Sequence, residues 1–306
     1  MIELKQVTKK FDDQTILDAI STRIPKGTAF GLIGSNGAGK STILRLISGV
    51  YQTDGGEVLL DGKPIYDIPD QKRRVFFVSD ETTQFHSFTI KKLADYYKHF
   101  YPRFSYELLE TMLKSITLPQ HKPLSTFSKG MKRQAITMLG VAARPEYLLL
   151  DEAFDGLDPS MRKLIRQILI DRMVEDEMTV IVSTHNLAEI NELCDSAALI
   201  HDSKIVFSCA LDDIRSNLHK LQLGWSTKAP EYSKEQFEAL GIEILRFEKQ
   251  HSIYHLVARG EEDQLREKLA PMNPTIFDLI PLTLEEIFIY ELEVLGYGCY
   301  KFDTEA

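Results

Sequence analysis

The chain has 306 residues, of which 43% are hydrophobic, so it is long enough to form two domains with ordinary cores. Its formal net charge of −9 argues against a basic surface for nucleic acid. Its cysteines, Cys194, Cys209 and Cys299, are three and far apart, which argues against a disulfide framework and suits a reducing cytoplasm. We expect no signal peptide and no membrane span, because no stretch reaches about 18 uninterrupted apolar residues.

The first third of the chain predicts short strands. Residues 2–34 have the alternation of an antiparallel sheet that leads into the apolar run 28–33. Residues 58–63 read as a strand that ends in an Asp-Gly turn, and residues 75–78 as a buried strand.

Helical patterns follow between about residues 82 and 145. Apolar residues recur at helical spacing in segments 89–100, 105–116 and 129–141. Beyond them, residues 147–150 predict a strand without a polar face, as in the centre of a parallel sheet, and residues 179–183 predict the next buried strand. Between these two strands, Asp158-Pro159 begins a helix, with Asp as its cap.

A glycine-rich loop connects the strand at 28–33 to a helix. Residues 34–42 match the phosphate-binding pattern of Gly, four residues and Gly-Lys-Ser. The candidate contacts to phosphate are Gly34, Ser35, Asn36, Gly37, Ala38, Gly39, Lys40, Ser41 and Thr42. Lys40 offers a cation to the phosphates and Ser41 a hydroxyl to Mg²⁺. Strands and helices that alternate around such a loop predict an α/β fold with a parallel central sheet.

An acidic pair, Asp151-Glu152, ends the strand at 147–150. Ligands of open parallel sheets bind at the carboxyl ends of the strands. A carboxylate at that edge can hold Mg²⁺, and a second one can orient or activate the attacking water. We therefore expect the pair Asp151-Glu152 to belong to a site for Mg²⁺ and the attacking water.

The order of these motifs resembles the ATP-binding subunit of an ABC transporter of the exporter type, over about residues 1–215. Five further features of the family align with this chain. The adenine-stacking aromatic residue aligns with Phe11, and the signature sequence with 127–131, which includes Ser128, Lys129 and Gly130. The metal carboxylate aligns with Asp151, the catalytic carboxylate with Glu152, the dimer-contacting loop with 155–158, which includes Asp158, and the switch histidine with His185.

The resemblance implies a P-loop NTPase fold with an N-terminal antiparallel β subdomain and an inserted helical subdomain at about 82–145. It implies ATP and Mg²⁺ as ligands, and hydrolysis in an ATP-dependent homodimer or heterodimer. In such a dimer Ser128, Lys129 and Gly130 would hold the other subunit's ATP. The partner implied is a membrane-spanning permease, which would keep this subunit peripherally at the membrane.

Two motifs depart from the family pattern. In the signature, Lys129 replaces a glycine and Met131 replaces a glutamine. After the strand at 75–78, the family's usual glutamine is missing, and we align Asp80 with it as a metal ligand and catalytic residue. Glu81 and Gln84 remain alternatives for that role.

Residues 217–306 predict a small α+β accessory domain after an ATP-binding domain at 1–216. Segments 242–247 and 253–257 read as paired strands, 262–269 as a helix, and 283–294 as a helix with a capping box. His251 and His255 are interpreted as surface or packing residues rather than metal ligands. Segment 284–288 resembles the tail of exporter-type ATPase subunits, so this domain either docks two subunits or contacts a partner.

Two other functions fit the same motifs. One is a non-transport ATPase that acts on ribosomes or DNA, which the single loop, the absence of a heptad run and the acidic charge disfavour. The other is a nucleotide-gated binding module that hydrolyses ATP poorly, which the altered glutamine position allows. A hydrolysis assay separates this second alternative from a transport ATPase.

Overall fold

The computed structural model of the protein describes residues 1–79, 85, 87–116, 118–226 and 231–294. The chain divides into two compact units, Met1–Ser208 and Cys209–Ala306. The boundary inferred from the sequence lies further along the chain, after residue 216. No helix within the described ranges is long and apolar enough to cross a membrane.

The elements of the first unit alternate between strands and helices. Its strands are β1 (Ile2–Phe11), β2 (Gln14–Ile24), β3 (Ala29–Ile33), β4 (Gly55–Leu60), β5 (Lys63–Pro64), β6 (Val75–Val78), β7 (Tyr147–Asp151), β8 (Thr179–Thr184), β9 (Ser196–His201) and, at the junction, β10 (Lys204–Ala210). Its helices are α1 (Lys40–Ile47), α2 (Pro69–Lys72), α3 (Ile90–Phe100), α4 (Tyr106–Ser115), α5 (Lys129–Ala142), α6 (Pro159–Asp176) and α7 (Leu187–Leu193).

These strands form two sheets. The first has the order β2-β1-β4-β5 with antiparallel pairing, which confirms the antiparallel subdomain and the turn at Asp61-Gly62. The second has the order β10-β9-β3-β8-β7-β6. Its neighbours from β9 to β6 pair in parallel, so the predicted parallel α/β sheet is confirmed.

The register of the parallel sheet brings three loops to one edge. β8 lies between β3 and β7, with Ile33 opposite Thr184 and Asp151 opposite Ser183. The chain therefore leaves β3, β7 and β8 at neighbouring points, because parallel strands end at the same edge. The phosphate-type loop, Asp151-Glu152 and His185 follow those ends.

Both faces of the parallel sheet are covered. Side chains alternate along β7, so Leu148 and Leu150 join a core with α3, α4, α5 and α6, while Tyr147 and Leu149 join one with α1 and the antiparallel sheet. Burial on both faces explains the unbroken apolar run of this strand.

The helix starts agree with the sequence analysis. Thr89, Ser105, Ser128 and Asp158 cap α3, α4, α5 and α6, each accepting a hydrogen bond from a backbone N–H in the first turn. A capping oxygen satisfies one of the donors that a helix N-terminus leaves without a partner. The predicted helices of the segment 82–145 are thereby confirmed within the described residues.

The second unit has a βαββαβ core. Its elements are α8 (Leu211–Asn217), β11 (Leu218–Gly224), α9 (Lys234–Glu238), β12 (Glu243–Gln250), β13 (Ile253–Arg259), α10 (Glu262–Leu269), β14 (Ile276–Ile280) and α11 (Leu284–Val294). The sheet order β12-β13-β11-β14 with antiparallel pairing is that of a ferredoxin-like fold.

The core of this second unit is made by one face of its sheet and the helices α9 and α10, and includes Leu221, Leu256, Phe237 and Leu265. The predicted pair of strands is confirmed. The capping box at Thr283 is also confirmed, because the backbone N–H of Glu286 donates to Thr283 Oγ1 and that of Thr283 to Glu286 Oε2.

Candidate functional site

The loop between β3 and α1 has the backbone of a phosphate cradle. Gly39 stands immediately before α1 with φ of 108°, a left-handed conformation that L side chains rarely adopt. A Cβ at this glycine would lie 2.8 Å from Leu17 Cδ2. The positive φ above all favours glycine here, and the N-terminus of a helix such as α1 attracts anions.

Lys40 is the first residue of α1, and its side chain is only 4% exposed. Its Nζ donates to the carbonyl oxygens of Gly34 and Ser35, at 2.7 and 3.1 Å, and lies 4.0 Å from Glu152 Oε1. Burial lowers the pKa of Lys40, against the opposing effect of the Glu152 and Asp151 carboxylates. Loop carbonyls therefore hold the ammonium at the cradle.

Asp151 ends β7 and is 1% exposed. Its Oδ1 accepts hydrogen bonds from Ser41 Oγ at 3.0 Å and from Ser183 Oγ at 2.5 Å. A hydroxyl and a carboxylate that adjoin in this way are the oxygen ligands that Mg²⁺ prefers. Their chemistry therefore fits a magnesium ion held between α1 and β7.

Glu152 follows with φ of 48°, an unusual backbone conformation for a residue other than glycine. Its Oε1 lies 3.9 Å from His185 Nδ1, and carboxyl or ring atoms of Glu152, Asp155 and His185 all come within 4.8 Å of one another. Burial and the neighbouring Asp155 carboxylate raise the pKa of Glu152, although Lys40 acts against them. A carboxylate with a raised pKa is typical of a general base.

His185 comes just after the end of β8. Its Nδ1 is buried and accepts or donates no hydrogen bond within the described part of the chain. The hydroxyl of the neighbouring Thr184 donates to Glu189 Oε2 at 2.7 Å. The structure thus places His185 beside Glu152 with one ring nitrogen available.

A cavity of about 280 Å³ joins the loop to the antiparallel sheet. Its lining residues are Phe11, Ile16, Asn36, Gly37, Gly39, Lys40, Ser41, Thr42 and Glu152. The Phe11 ring is 40% exposed and meets the edge of Tyr51 at 5.3 Å between ring centroids. The cavity therefore offers an aromatic surface at one end and a phosphate cradle at the other.

The signature residues lie outside this cavity. Ser128 and Lys129 are exposed at the start of α5, and Ser128 Oγ accepts the backbone N–H of Met131 at 3.2 Å. A Cβ at Gly130 would approach the carbonyl oxygen of Gly156 to 3.0 Å. Within one chain, the first turn of α5 thus packs on the loop after Glu152 and is not brought to the phosphate loop.

Asp158 is the N-terminal cap of α6 within its own chain. Its Oδ1 accepts hydrogen bonds from Ser160 Oγ at 2.5 Å and from the backbone N–H of Met161 at 3.0 Å, and these bonds lower its pKa. Asp80 and its alternatives Glu81 and Gln84 lie outside the described residues.

Three polar residues at the site were missed as individuals in the sequence. The sequence indicates Ser183 only as the end of an apolar strand, and Asp155 only as part of the 155–158 loop. Arg133 is 2% exposed, and its Nη1 donates to the Asp155 carbonyl oxygen at 2.6 Å. The polar end of an otherwise apolar strand was the one signal that pointed to Ser183.

The chain is similar to known proteins in both sequence and structure. The sequence model of the ABC transporter family matches residues 17–155. The chain is 29% identical over 289 residues to the ABC transporter ATP-binding protein YtrB of Bacillus subtilis. That alignment covers 94% of this chain and 97% of YtrB. It is 32% identical over 222 residues to the ABC transporter ATP-binding protein MJ1023 of Methanocaldococcus jannaschii. That alignment covers 70% of this chain and 79% of MJ1023.

Solved structures show the same fold. The ATP-binding subunit of an ABC transporter superposes with a TM-score of 0.65 at 25% identity, and covers 70% of this chain and 92% of its own. The match with YtrB covers 94% of the chain and therefore extends into the second unit. The chain therefore belongs to the ABC transporter ATP-binding proteins, the subunits that bind and hydrolyse ATP to drive transport through a separate permease.

Proposed function

We propose that ATP occupies the cavity between Phe11 and the loop 34–42, with the adenine on the Phe11 ring and the phosphates on the loop. The observation that carries this proposal is that one cavity is lined by Phe11, Lys40, Ser41 and Glu152. Base stacking on an aromatic ring, backbone N–H groups at a helix N-terminus and a lysine are the three kinds of contact that a nucleoside triphosphate needs.

Ser41 and Asp151 are the proposed holders of Mg²⁺, since their side chains already adjoin. When bound, the ion neutralises charge that develops on the phosphates. The chain's own contribution is to fix the ligands: Asp151 is almost fully buried and its Oδ1 accepts two hydroxyl hydrogen bonds. Asp80 remains a prediction as a further metal ligand.

Glu152 is the proposed water-orienting base, and His185 the group beside it. Their side chains lie 3.9 Å apart and both stand at the edge of the sheet where the phosphate loop begins. Burial is the first cause of the raised pKa of Glu152, and a raised pKa makes a carboxylate a better proton acceptor. His185 is positioned to steady the same water or the terminal phosphate.

ATP-dependent dimerisation follows from the signature residues. Ser128 and Lys129 are exposed at the N-terminus of the long helix α5 and do not line the chain's own cavity. A helix N-terminus attracts phosphate, so Ser128, Lys129 and Gly130 are proposed to contact the ATP of a second subunit. The dimer contains two copies of this chain or one copy with a second ATP-binding subunit. Asp158 lies in the loop that would contact the other subunit.

The same subunit is proposed to sit at the cytoplasmic side of a membrane through its permease and to bind ATP and Mg²⁺, and no nucleic acid is expected as a partner. The loop that follows β6 carries Asp80 and is the predicted element of coupling to that permease. The second unit is proposed to contribute to contacts between subunits or with a partner.

The direct test is nucleotide binding by a lysine variant. Lys40→Ala removes the ammonium that meets the phosphates, so most ATP affinity and nearly all hydrolysis should be lost. Lys63→Ala, at an exposed lysine of β5, is the matched control and should behave like the parent. Equal affinity of Lys40→Ala and the parent in a fluorescent nucleotide titration would refute the proposed site.

A further inference from the structure

The hydroxyl of Ser183 lies between the two acidic residues of the site. Ser183 stands opposite Asp151 in the parallel sheet and is fully buried. Its Oγ donates to Asp151 Oδ1 at 2.5 Å and accepts the backbone N–H of Glu152 at 3.2 Å. A single side chain thus contacts the side chain of one acidic residue and the backbone of the next.

On the Asp151 side, the contact fixes a buried carboxylate. A carboxylate that is 1% exposed needs hydrogen-bond donors, because it has lost its contact with water. Ser41 is one donor, but its oxygen is also the proposed metal ligand. Ser183 has no such second role, so it can hold the orientation of Asp151 whether or not a metal is bound.

On the Glu152 side, the contact fixes an uncommon backbone conformation. Glu152 has φ of 48°, and such a conformation persists only where the surroundings hold it. Its N–H donates both to the Ser183 hydroxyl, at 3.2 Å, and to the Ser183 carbonyl oxygen, at 3.1 Å. A turn closes behind it, because the N–H of Asp155 donates to the Glu152 carbonyl oxygen at 3.2 Å.

We propose that Ser183 is a positioning residue that aligns the metal carboxylate of Asp151 with the catalytic carboxylate of Glu152. The inference rests on the proposed function, since it assigns Ser183 a role toward those two groups. Removal of the hydroxyl would free the Asp151 carboxylate to rotate and leave the Glu152 turn with one hydrogen bond fewer. Both the contribution of Mg²⁺ to ATP binding and the rate of hydrolysis would then fall.

The test compares two buried hydroxyls of β8. Ser183→Ala removes the one at the site, and Thr179→Ala removes the one at the other end, whose oxygen accepts the backbone N–H of Gly27 at 2.9 Å. Both residues are fully buried, so a general loss of packing should affect both variants. ATP affinity is measured with excess Mg²⁺ and with EDTA, in a Glu152→Gln background that prevents turnover, and hydrolysis is measured with Glu152 intact.

For Ser183→Ala we expect unchanged affinity in EDTA, a gain from Mg²⁺ that is about tenfold smaller, and hydrolysis about 10- to 100-fold slower. Thr179→Ala should match the parent in all three. Ser183→Cys keeps a weaker donor of similar size, so its losses of the Mg²⁺ gain and of hydrolysis should be intermediate. If Ser183→Ala fails to bind ATP in EDTA, the test uses Ser183→Cys in its place.

The inference would be overturned if Ser183→Ala gained as much ATP affinity from Mg²⁺ as the parent and hydrolysed ATP at the parental rate. Equal losses of ATP affinity and hydrolysis in the Ser183 and Thr179 variants would also overturn it. Normal hydrolysis by Glu152→Gln alone and by Lys40→Ala would instead refute the proposed function. The two failures are therefore distinct.

Discussion

Ser41 Oγ donates a hydrogen bond of 3.0 Å to Asp151 Oδ1 across 110 residues of sequence. The bond joins the first turn of α1 to the end of β7. It exists because β3 and β7 both flank β8 and end at the same edge of the sheet. The two proposed ligands of Mg²⁺ are thus already adjacent without the ion.

The first prediction concerns this pair. Ser41→Ala removes both the proposed metal ligand and a donor to Asp151, so hydrolysis should fall at least tenfold. Ser41→Thr keeps a hydroxyl at a position where the phosphate-loop pattern accepts either residue, and is the matched control. Rates measured over a Mg²⁺ titration test this, and equal rates for the alanine and threonine variants would contradict it.

The second prediction joins chemistry to assembly. Glu152→Gln keeps the shape of the side chain but removes its charge, so hydrolysis should slow by about 10²–10⁴-fold while ATP still binds. Trapped ATP should then stabilise the closed dimer. In size-exclusion chromatography the variant should run as a dimer with ATP and as a monomer with ADP.

One control variant makes the Glu152→Gln result decisive. Glu107→Gln, on the exposed side of α4, should hydrolyse like the parent. Normal hydrolysis by Glu152→Gln would remove this residue from the mechanism. An inactive variant that binds ATP and stays monomeric would contradict the role of Ser128, Lys129 and Gly130 in dimer closure.

The third prediction tests the stacking role of Phe11. Stacking of a base on an aromatic ring contributes about 1–3 kcal/mol, so Phe11→Ala should weaken ATP binding about 5- to 150-fold. Phe11→Tyr keeps the ring and should bind as the parent does. If Phe11→Ala lowers only the thermal stability, then the ring serves packing against Tyr51 and does not contact the nucleotide.

The fourth prediction concerns stability against pH. Glu146 accepts two hydrogen bonds from the Arg74 guanidinium, both at 2.8 Å. These bonds, above all, lower the pKa of Glu146 from 4.5 to about 2, although burial opposes them. Because the folded pKa lies below the unfolded one, this ion pair stabilises the fold above about pH 4.5 and loses its effect as the pH falls toward 2.

Arg74→Gln should therefore lower the free energy of unfolding at pH 7 and make it less dependent on pH between 5 and 2. Arg73→Gln changes an exposed neighbour that pairs with Asp70 at 3.3 Å, and should leave that dependence unchanged. Urea unfolding at a series of pH values measures both. Parallel pH profiles of the Arg74 variant and the parent would show that this pair does not contribute.

The fifth prediction concerns the two units. A chain that ends at Ala210 keeps all of β10 and every residue of the proposed ATP site, so it should fold and bind ATP with parental affinity. Circular dichroism and nucleotide titration test this, with the same truncation carrying Lys40→Ala as the control that does not bind. Loss of folding would mean that the second unit completes the core of the first.

Much of the fold was accessible from local patterns in the sequence. The run at 75–78 and the apolar segment 147–150 became β6 and β7, and Asp158-Pro159 became the start of α6, because apolar periodicity and capping are properties of neighbouring residues. α7 and the strands β9 and β11 were not assigned individually. Their patterns are short, and only their pairing with other strands or packing on the sheet makes them regular.

The chemistry of the site divides in the same way. Adjacent residues in a defined order are enough to predict the phosphate loop and the pair Asp151-Glu152, and the order of such motifs indicates the family. The contact of Ser183 with Asp151, the contact of Arg133 with the Asp155 carbonyl and the left-handed backbone of Glu152 appear only in the folded chain. These relationships depend on strand register and helix packing, which bring together residues that are far apart in the chain.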